Sequence, residues 1–164
     1  SPPAGRTREQ PALVAQPKVP YNLDAWDGYP AARDTVLAAA KANDRNLVVL
    51  AGDTHNAWAS DLTDSTGQVV GVEFATSSVS SPGFEVYLPA VPPAQLGGAF
   101  PMLIDDLVYA DTSRRGYLVL NATAQEVRAD WVYVDTISSH TYQATVGASL
   151  RTLPGAGNRK VVPV

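Results

Sequence analysis

Residues 30–55 read PAARDTVLAAAKANDRNLVVLAGDTH, and the elements that they predict indicate the class of fold. It begins with a proline, which a first helical turn tolerates, and continues through alanine-rich sequence to an asparagine, which predicts a helix over 30–43. The segment 46–51 carries an unbroken apolar run that is too short for a helix, which is typical of a strand covered on both faces. A helix followed by a buried strand predicts an α/β arrangement.

Alternating apolar residues and turn signals predict the later elements. Apolar residues alternate along 69–75, and the turn sequence DSTG at 64–67 separates this segment from 58–62, which predicts a hairpin of two strands. Residues 77–101 are rich in serine and proline and predict a long loop with one short helix near 94–100. Further strands are predicted over 103–110, 116–121, 127–136 and 142–152.

The amino-terminal end differs from the rest of the chain. Residues 1–20 contain five prolines and little apolar periodicity, which predicts an extended linker or crossover segment. Residues 21–164 would then form the folded part. A length of 164 residues with 45% apolar composition is ordinary for one globular domain.

Composition excludes several classes of protein. A net charge of -4 without a basic run argues against binding the phosphate backbone of a nucleic acid. No stretch approaches the roughly 18 consecutive apolar residues that span a bilayer, and the start lacks a signal-peptide pattern. Because the chain has no cysteine, any metal must be held by Asp, Glu, Asn, His, Tyr or backbone oxygen.

The run Gly52-Asp53-Thr54-His55 follows the predicted buried strand directly. Ligands of open α/β sheets bind beyond the carboxyl ends of the strands, and Gly52 lets the backbone turn so that both polar side chains face one pocket. Asp53 is a hard oxygen ligand and His55 offers an imidazole nitrogen to a transition metal. The alternative is that Asp53 caps a turn and His55 is a half-buried, hydrogen-bonded loop residue.

Three further blocks give this run a context. They read YNLDAWDGYPAARD at 21–34, VGVEFATSSVSSPG at 70–83 and YADTSRRGY at 109–117. With the run at 52–55, they resemble the carboxyl-terminal half of the alkaline phosphatase D family in order and spacing, over roughly residues 7–136.

The resemblance implies a fold, a reaction and a metal centre. The fold would be the second half of a calcineurin-like metallophosphoesterase, a four-layer α/β (α+β) sandwich with helices outside two packed sheets. The reaction would be hydrolysis of phosphate mono- or diesters by a metal-activated hydroxide. The cofactors would be iron and calcium, with His55 binding iron and Asp53 binding calcium or bridging the metals.

The chain departs from the family pattern in one respect. The remaining ligands, a Cys and further Asp, Asn and Tyr residues, belong to the amino-terminal half of the family fold, and this chain has no cysteine. Calcium alone takes six to eight oxygen ligands, so two side chains do not make a tight site. We therefore expect the isolated chain to be inactive and its partner to be the amino-terminal half of the same enzyme, present as a separate chain. The family resemblance also implies a periplasmic or secreted location.

Four other residues are weaker candidates for the site. Arg33 and Tyr29 are predicted to contact the substrate phosphate, and Asp27 and Glu73 to lie in the shell of residues around the ligands. The alternatives are a surface ion pair for Arg33, a helix cap for Asp27 and a structural charge for Glu73. Trp26, beside Asp27, is expected either near the pocket or in the core.

The remaining charged side chains are expected to be peripheral. Arg114 and Arg115 precede a predicted strand and His140 lies in a polar turn, so all three are predicted to be solvated. The competing functional hypothesis is a non-catalytic binding or interaction module that retains the half-fold. Metal content distinguishes the two, because only the enzyme needs stoichiometric iron and calcium.

Overall fold

The structure is a computed structural model that describes residues 24–164, so the predicted extended segment 1–20 lies outside the described residues. Within residues 24–164, two helices and eight strands follow in chain order, with short 3-10 turns at Trp26–Gly28 and Phe84–Val86. The helices are α1 (Pro30–Ala42) and α2 (Pro93–Leu103). The strands are β1 (Leu47–Ala51), β2 (Ala57–Thr63), β3 (Val69–Ala75), β4 (Leu107–Asp111), β5 (Arg115–Ala122), β6 (Val127–Val134), β7 (Ala144–Thr152) and β8 (Val162–Pro163).

The first sheet has the strand order β1-β3-β2-β4. β1 runs parallel to β3, whereas β2 is antiparallel to both β3 and β4. Three strands therefore end at one edge, where Ala51 lies opposite Ala75, and β2 begins there with Ala57 opposite Asp111. We call this edge, marked by Ala51, Ala57, Ala75 and Asp111, the carboxyl edge.

The second sheet has the order β5-β6-β7-β8, and each of its pairs is antiparallel. β5 starts four residues after β4 ends, with Arg115 opposite Val134 of β6. Val134 in turn lies opposite Ala144, the first residue of β7. The connection from β4 to β5 therefore passes from one sheet to the other close to the carboxyl edge.

The core lies between the two sheets. Val72 and Phe74 of β3 and Trp131 of β6 are fully buried there. The Trp131 ring meets Phe74 edge to face at 5.8 Å between centroids, and its indole N–H donates to the carbonyl of Ala75 at 2.9 Å. Such aromatic pairs bury large apolar areas, and the hydrogen bond gives the buried indole N–H a partner.

Both helices pack on the outer face of the first sheet. α1 buries Leu37 towards β3, and α2 packs against β4. Phe100 of α2 meets Trp58 of β2 edge to face at 5.3 Å, and Phe84 joins the same cluster. The predicted mixed α/β sandwich is therefore confirmed, with a helical layer, a sheet and a second sheet. Neither helix of residues 24–164 has the length and apolar content needed to cross a membrane.

Two of the predicted elements need correction. β1 is not covered on both faces, because none of its residues is fully buried and Leu50 is 59% exposed. Among the described residues it pairs with β3 alone. The strand predicted over 103–110 begins only at Leu107, since α2 continues through Pro101 to Leu103. A short apolar run is compatible with either a helix or a strand, and periodicity alone does not separate them.

The turn between β2 and β3 is tied to the end of α1. Asp64 accepts hydrogen bonds from the amides of Thr66 and Gln68, and its other carboxylate oxygen pairs with the ammonium of Lys41 at 2.7 Å. The Lys41 ammonium, followed by the Thr66 hydroxyl and the Gln68 amide, holds the pKa of the Asp64 carboxyl well below its usual range. The charged form of Asp64 thus favours the folded state.

Replacing Trp131 tests the packing of the two sheets. We expect Trp131→Ala to lower the free energy of unfolding by about 3–5 kcal/mol, because it leaves a cavity between the sheets. Trp131→Phe should cost about 1–3 kcal/mol, since it removes the donor to the Ala75 carbonyl. Urea unfolding followed by circular dichroism measures both, with the half-exposed Val119→Ala on β5 as the control of small effect. An equally small effect at Trp131 would contradict this account of the core.

Replacing Asp64 tests the charge at the hairpin turn. Because the folded pKa is lowered, the stabilisation is complete above the unfolded pKa of about 3.9 and declines as the pH falls from there towards the folded value. Asp64→Asn keeps an acceptor for the turn amides but removes the charge that pairs with Lys41. It should therefore lower the free energy of unfolding at neutral pH, and in acid this free energy should approach that of the unsubstituted protein. Unfolding titrations at several pH values measure the gap, and a gap independent of pH would refute the assignment.

Candidate functional site

The predicted donors lie on the turn that leaves β1 at the carboxyl edge. The amide of His55 donates to the carbonyl of Gly52 at 3.2 Å, and His55 has the left-handed φ of 60°. The side chains of Asp53 and His55 are both exposed, and neither makes a hydrogen bond or ion pair within the described part of the chain. The alternative of a half-buried, hydrogen-bonded His55 is therefore wrong.

The residue between the two donors is held from two sides. The hydroxyl of Thr54 accepts a hydrogen bond from the indole N–H of Trp58 at 2.8 Å. The carbonyl of Thr54 accepts another from the side-chain amide of Asn56 at 2.5 Å. The middle of the turn is thus fixed, while the side chains on either side of it stay available to a ligand.

The loop after β3 packs against this turn. Asn56 is 2% exposed, and its side-chain oxygen accepts a hydrogen bond from the amide of Phe84 at 3.0 Å. The amide of Ser78 donates to the carbonyl of His55 at 3.4 Å, and the amide of Gly116 donates to Ser78 at 3.0 Å. Segments from β1, β3 and β4 therefore meet around the Asp53 and His55 turn.

Gly83 lies where these segments come closest. A Cβ at this position would meet the carbonyl oxygen of Thr112 at 2.6 Å, Glu85 Oε2 at 2.8 Å and the side-chain oxygen of Asn56, so only glycine fits. The amide of Gly83 donates to Glu85 Oε1 at 3.3 Å. The same carboxylate forms an ion pair with the guanidinium of Arg115.

The prediction that Arg115 is solvated is wrong, because its side chain is only 12% exposed and is paired with Glu85. Asn56 and Glu85 are not among the residues that the sequence predicts for the site. Glu85 and Arg115 are thirty residues apart, so no local pattern could pair them. Asn56 carried a weak signal, as a polar residue at the start of a buried strand directly after His55.

Arg114 differs from its neighbour. Its side chain is 47% exposed, as predicted for a solvated residue, but it also stacks over the ring of Tyr133 at 3.9 Å and pairs with Asp111. The hydroxyls of Tyr133 and Tyr109 lie 2.7 Å apart. Burial, together with the adjacent Tyr109 hydroxyl, raises the pKa of Tyr133 above its usual range, so the phenol remains protonated.

Glu73 and Arg33 lie together, but apart from the turn. Both line a cavity of about 70 Å³ between α1 and the first sheet, and Trp26 lines it too. Burial raises the pKa of Glu73, and the charge of Arg33 opposes that shift. Arg33 donates to the carbonyl of Thr63, which ends β2 at the edge opposite the carboxyl edge. The proposed roles of Arg33 and Glu73 at the site stay predictions, and the described geometry does not bring either residue to His55.

Asp27 and Tyr29 precede α1 on the surface. Both are exposed, and α1 begins after Tyr29 without a side-chain cap, so the alternative of Asp27 as a helix cap is wrong. Trp26 is 43% exposed, which excludes the core position considered for it. The roles of Asp27 and Tyr29 near a substrate stay predictions. His140 is exposed, as predicted.

The turn carries two side chains of the types that bind metals. Asp53 supplies a carboxylate and His55 an imidazole, a donor set that suits a hard cation next to a transition metal. Among residues 24–164, no group of three or more His, Asp or Glu side chains is placed to hold a metal ion. The donor chemistry fits the implied metals, but the described residues supply only two of the ligands that such a centre needs.

Comparisons with known proteins give the family and the fold of the chain. Residues 4–131 match the family model described as PhoD-like phosphatase. The chain is 43% identical over 68 residues to alkaline phosphatase D of Bacillus subtilis (strain 168), and this match covers 38% of this chain and 12% of that protein. A solved structure titled "Structure of PhoD" superposes with a TM-score of 0.66 at 25% identity, over 86% of this chain and 27% of that one.

The chain thus spans only part of the relatives that it matches. It covers about a quarter of the solved PhoD chain and a smaller share of the Bacillus protein. The family match, by contrast, extends over most of the present sequence and includes the turn with Asp53 and His55. On this evidence the chain belongs to the PhoD-like phosphatase family.

Proposed function

We propose that this chain supplies Asp53 and His55 to the metal centre of an enzyme that hydrolyses phosphate mono- or diesters. The observation that carries the proposal is the turn itself, which Trp58 holds through the Thr54 hydroxyl and which Asn56 and Ser78 hold through backbone carbonyls, while both donor side chains remain exposed. Membership of a phosphatase family supports the reaction class. The remaining ligands would come from the amino-terminal half of the same enzyme.

The two donors have different chemical preferences. The imidazole nitrogen of His55 suits iron, and the carboxylate of Asp53 suits calcium or a bridging position. When bound, such metals supply positive charge to the phosphate oxygens and a hydroxide nucleophile at neutral pH. The protein's contribution is to present both donors from a fixed backbone at the end of a sheet.

The edge of the first sheet supports the proposed partner. Among the described residues β1 pairs only with β3 and forms the border of the sheet, and Leu50 on this strand is 59% exposed. Unpaired strand edges with apolar side chains are normally covered by another strand or segment. The amino-terminal half of the family fold is the occupant that we propose. A periplasmic or secreted location is part of the same proposal.

Substituting the two donors tests the proposed function in the enzyme that contains both halves. We expect Asp53→Asn and His55→Ala each to lower kcat/KM for p-nitrophenyl phosphate or its bis ester by about 100-fold or more, because each removes a ligand. Metal content measured by mass spectrometry should fall with activity. His140→Ala and Asp105→Asn are matched controls, since both side chains are exposed and lie outside the turn.

The outcome that contradicts the proposal is equally direct. If the enzyme with both halves contains no stoichiometric iron or calcium and hydrolyses neither ester, the non-catalytic binding module becomes the better explanation. If metal and activity are present but insensitive to Asp53→Asn and His55→Ala, the reaction class stands and the assigned ligands are wrong.

A further inference from the structure

We propose that Asn56, Glu85 and Arg115 form a clamp that positions the turn with Asp53 and His55. In this arrangement Glu85 and Arg115 hold the loop 77–85 in place, and Asn56 transmits that position to the turn. None of the three is proposed to touch a metal or a substrate. The catalytic consequence of the clamp rests on the proposed function, whereas its effect on the turn does not.

The ion pair of Glu85 and Arg115 is largely buried. The side chains are 21% and 12% exposed, and Arg115 also donates to the carbonyl of Ser113 at 2.7 Å. Within the described residues, Glu85 Oε2 and Arg115 Nε are buried without a hydrogen-bond partner. A buried pair that is incompletely hydrogen-bonded is weak evidence for stability, because desolvation offsets its attraction. Positioning the loop is the function that fits this pair.

Gly83 connects the pair to the turn. Its amide donates to Glu85 Oε1, and the face of its Cα lies against Glu85 Oε2, the Thr112 carbonyl and the side-chain oxygen of Asn56. Because Gly83 has no side chain, the Glu85 carboxylate and the side chain of Asn56 can both lie against its Cα. Rotation of Glu85 would therefore displace the backbone that Asn56 contacts.

Asn56 then connects the loop to the donors. It accepts from the amide of Phe84, the residue next to Glu85, and donates to the carbonyl of Thr54, which lies between Asp53 and His55. His55 has a left-handed backbone that a non-glycine residue adopts only when its surroundings impose it. The amide of Ser78 contributes a second tie from the same loop to the His55 carbonyl.

The effect of the clamp on the turn is tested without metal or substrate. Glu85→Gln keeps the size of the side chain and an acceptor for the Gly83 amide, but removes the charge that pairs with Arg115. We expect hydrogen exchange at the amides of Ser78 and Phe84 to accelerate by about 10-fold, because local opening becomes easier. Unchanged exchange would overturn the proposal.

The chain offers a matched control for this substitution. Glu126 pairs with Arg151 at 3.0 Å, and the side chains are 29% and 36% exposed. This pair lies at the far end of the second sheet, where Val127 begins β6 opposite Thr152. Glu126→Gln therefore makes the same chemical change away from the turn, and it should leave exchange at Ser78 and Phe84 unaltered.

The catalytic arm uses the metal-loaded enzyme with both halves. We expect Glu85→Gln to lower kcat, metal affinity or both by about 10–100-fold, with KM changed little, since residues that orient ligands have effects of this size. Faster exchange with unchanged kcat and metal affinity would overturn the positioning role. Should the unsubstituted enzyme neither bind metal nor hydrolyse the esters, the proposed function fails, and exchange still decides whether the clamp holds the turn.

A second variant keeps the test decisive if Glu85→Gln does not fold. Asn56→Ala removes both the acceptor for the Phe84 amide and the donor to the Thr54 carbonyl without adding a charge beside Glu85. It should accelerate exchange at the amides of both His55 and Phe84. Equal protection of these amides in Asn56→Ala and in the unsubstituted protein would overturn the role assigned to Asn56.

Discussion

The hydrogen bond from the indole of Trp131 to the carbonyl of Ala75 joins the two sheets at the place where the site begins. Trp131 is fully buried, and Ala75 ends β3 opposite Ala51, the last residue before the turn. Because this rigid ring fills the space between the sheets, the carboxyl edge has a fixed position relative to β5 and β6. Every loop that contributes to the turn starts from that edge, which gives the site the rigid support that precise ligand placement requires.

Hydrogen bonds fix the course of the turn, whereas its two proposed ligand side chains remain exposed. Trp58 and Asn56 bind Thr54, and Ser78 binds the backbone of His55, so the path of the chain is determined by three contacts. The side chains of Asp53 and His55 are held by no comparable contact among the described residues. A ligand then has to order only two side chains and no backbone, which lowers the entropic cost of binding.

The sequence predicted the features that depend on neighbours in the chain and missed those that depend on neighbours in space. Helix α1, the hairpin and the turn at 52–55 follow from local periodicity and a short motif, and all three are present. Leu50 is 59% exposed on a strand that forms the border of the sheet among the described residues, and its apolar run does not reveal this position. Arg115 is buried because Glu85 reaches it from a loop thirty residues away. The importance of Asn56 likewise depends on Phe84, a partner that no spacing rule identifies.

Under the proposed function, the open edge of β1 and the incomplete ligand set have one physical origin. The turn with Asp53 and His55 follows β1 directly, and β1 lacks a neighbour on its outer side within the described residues. A strand that paired in parallel with β1 would end at the same carboxyl edge and bring its own loop beside these donors. Completing the sheet and completing the metal site would then be a single event. Metal ions would strengthen association of the halves by the same factor by which association strengthens metal binding, because linked equilibria are reciprocal.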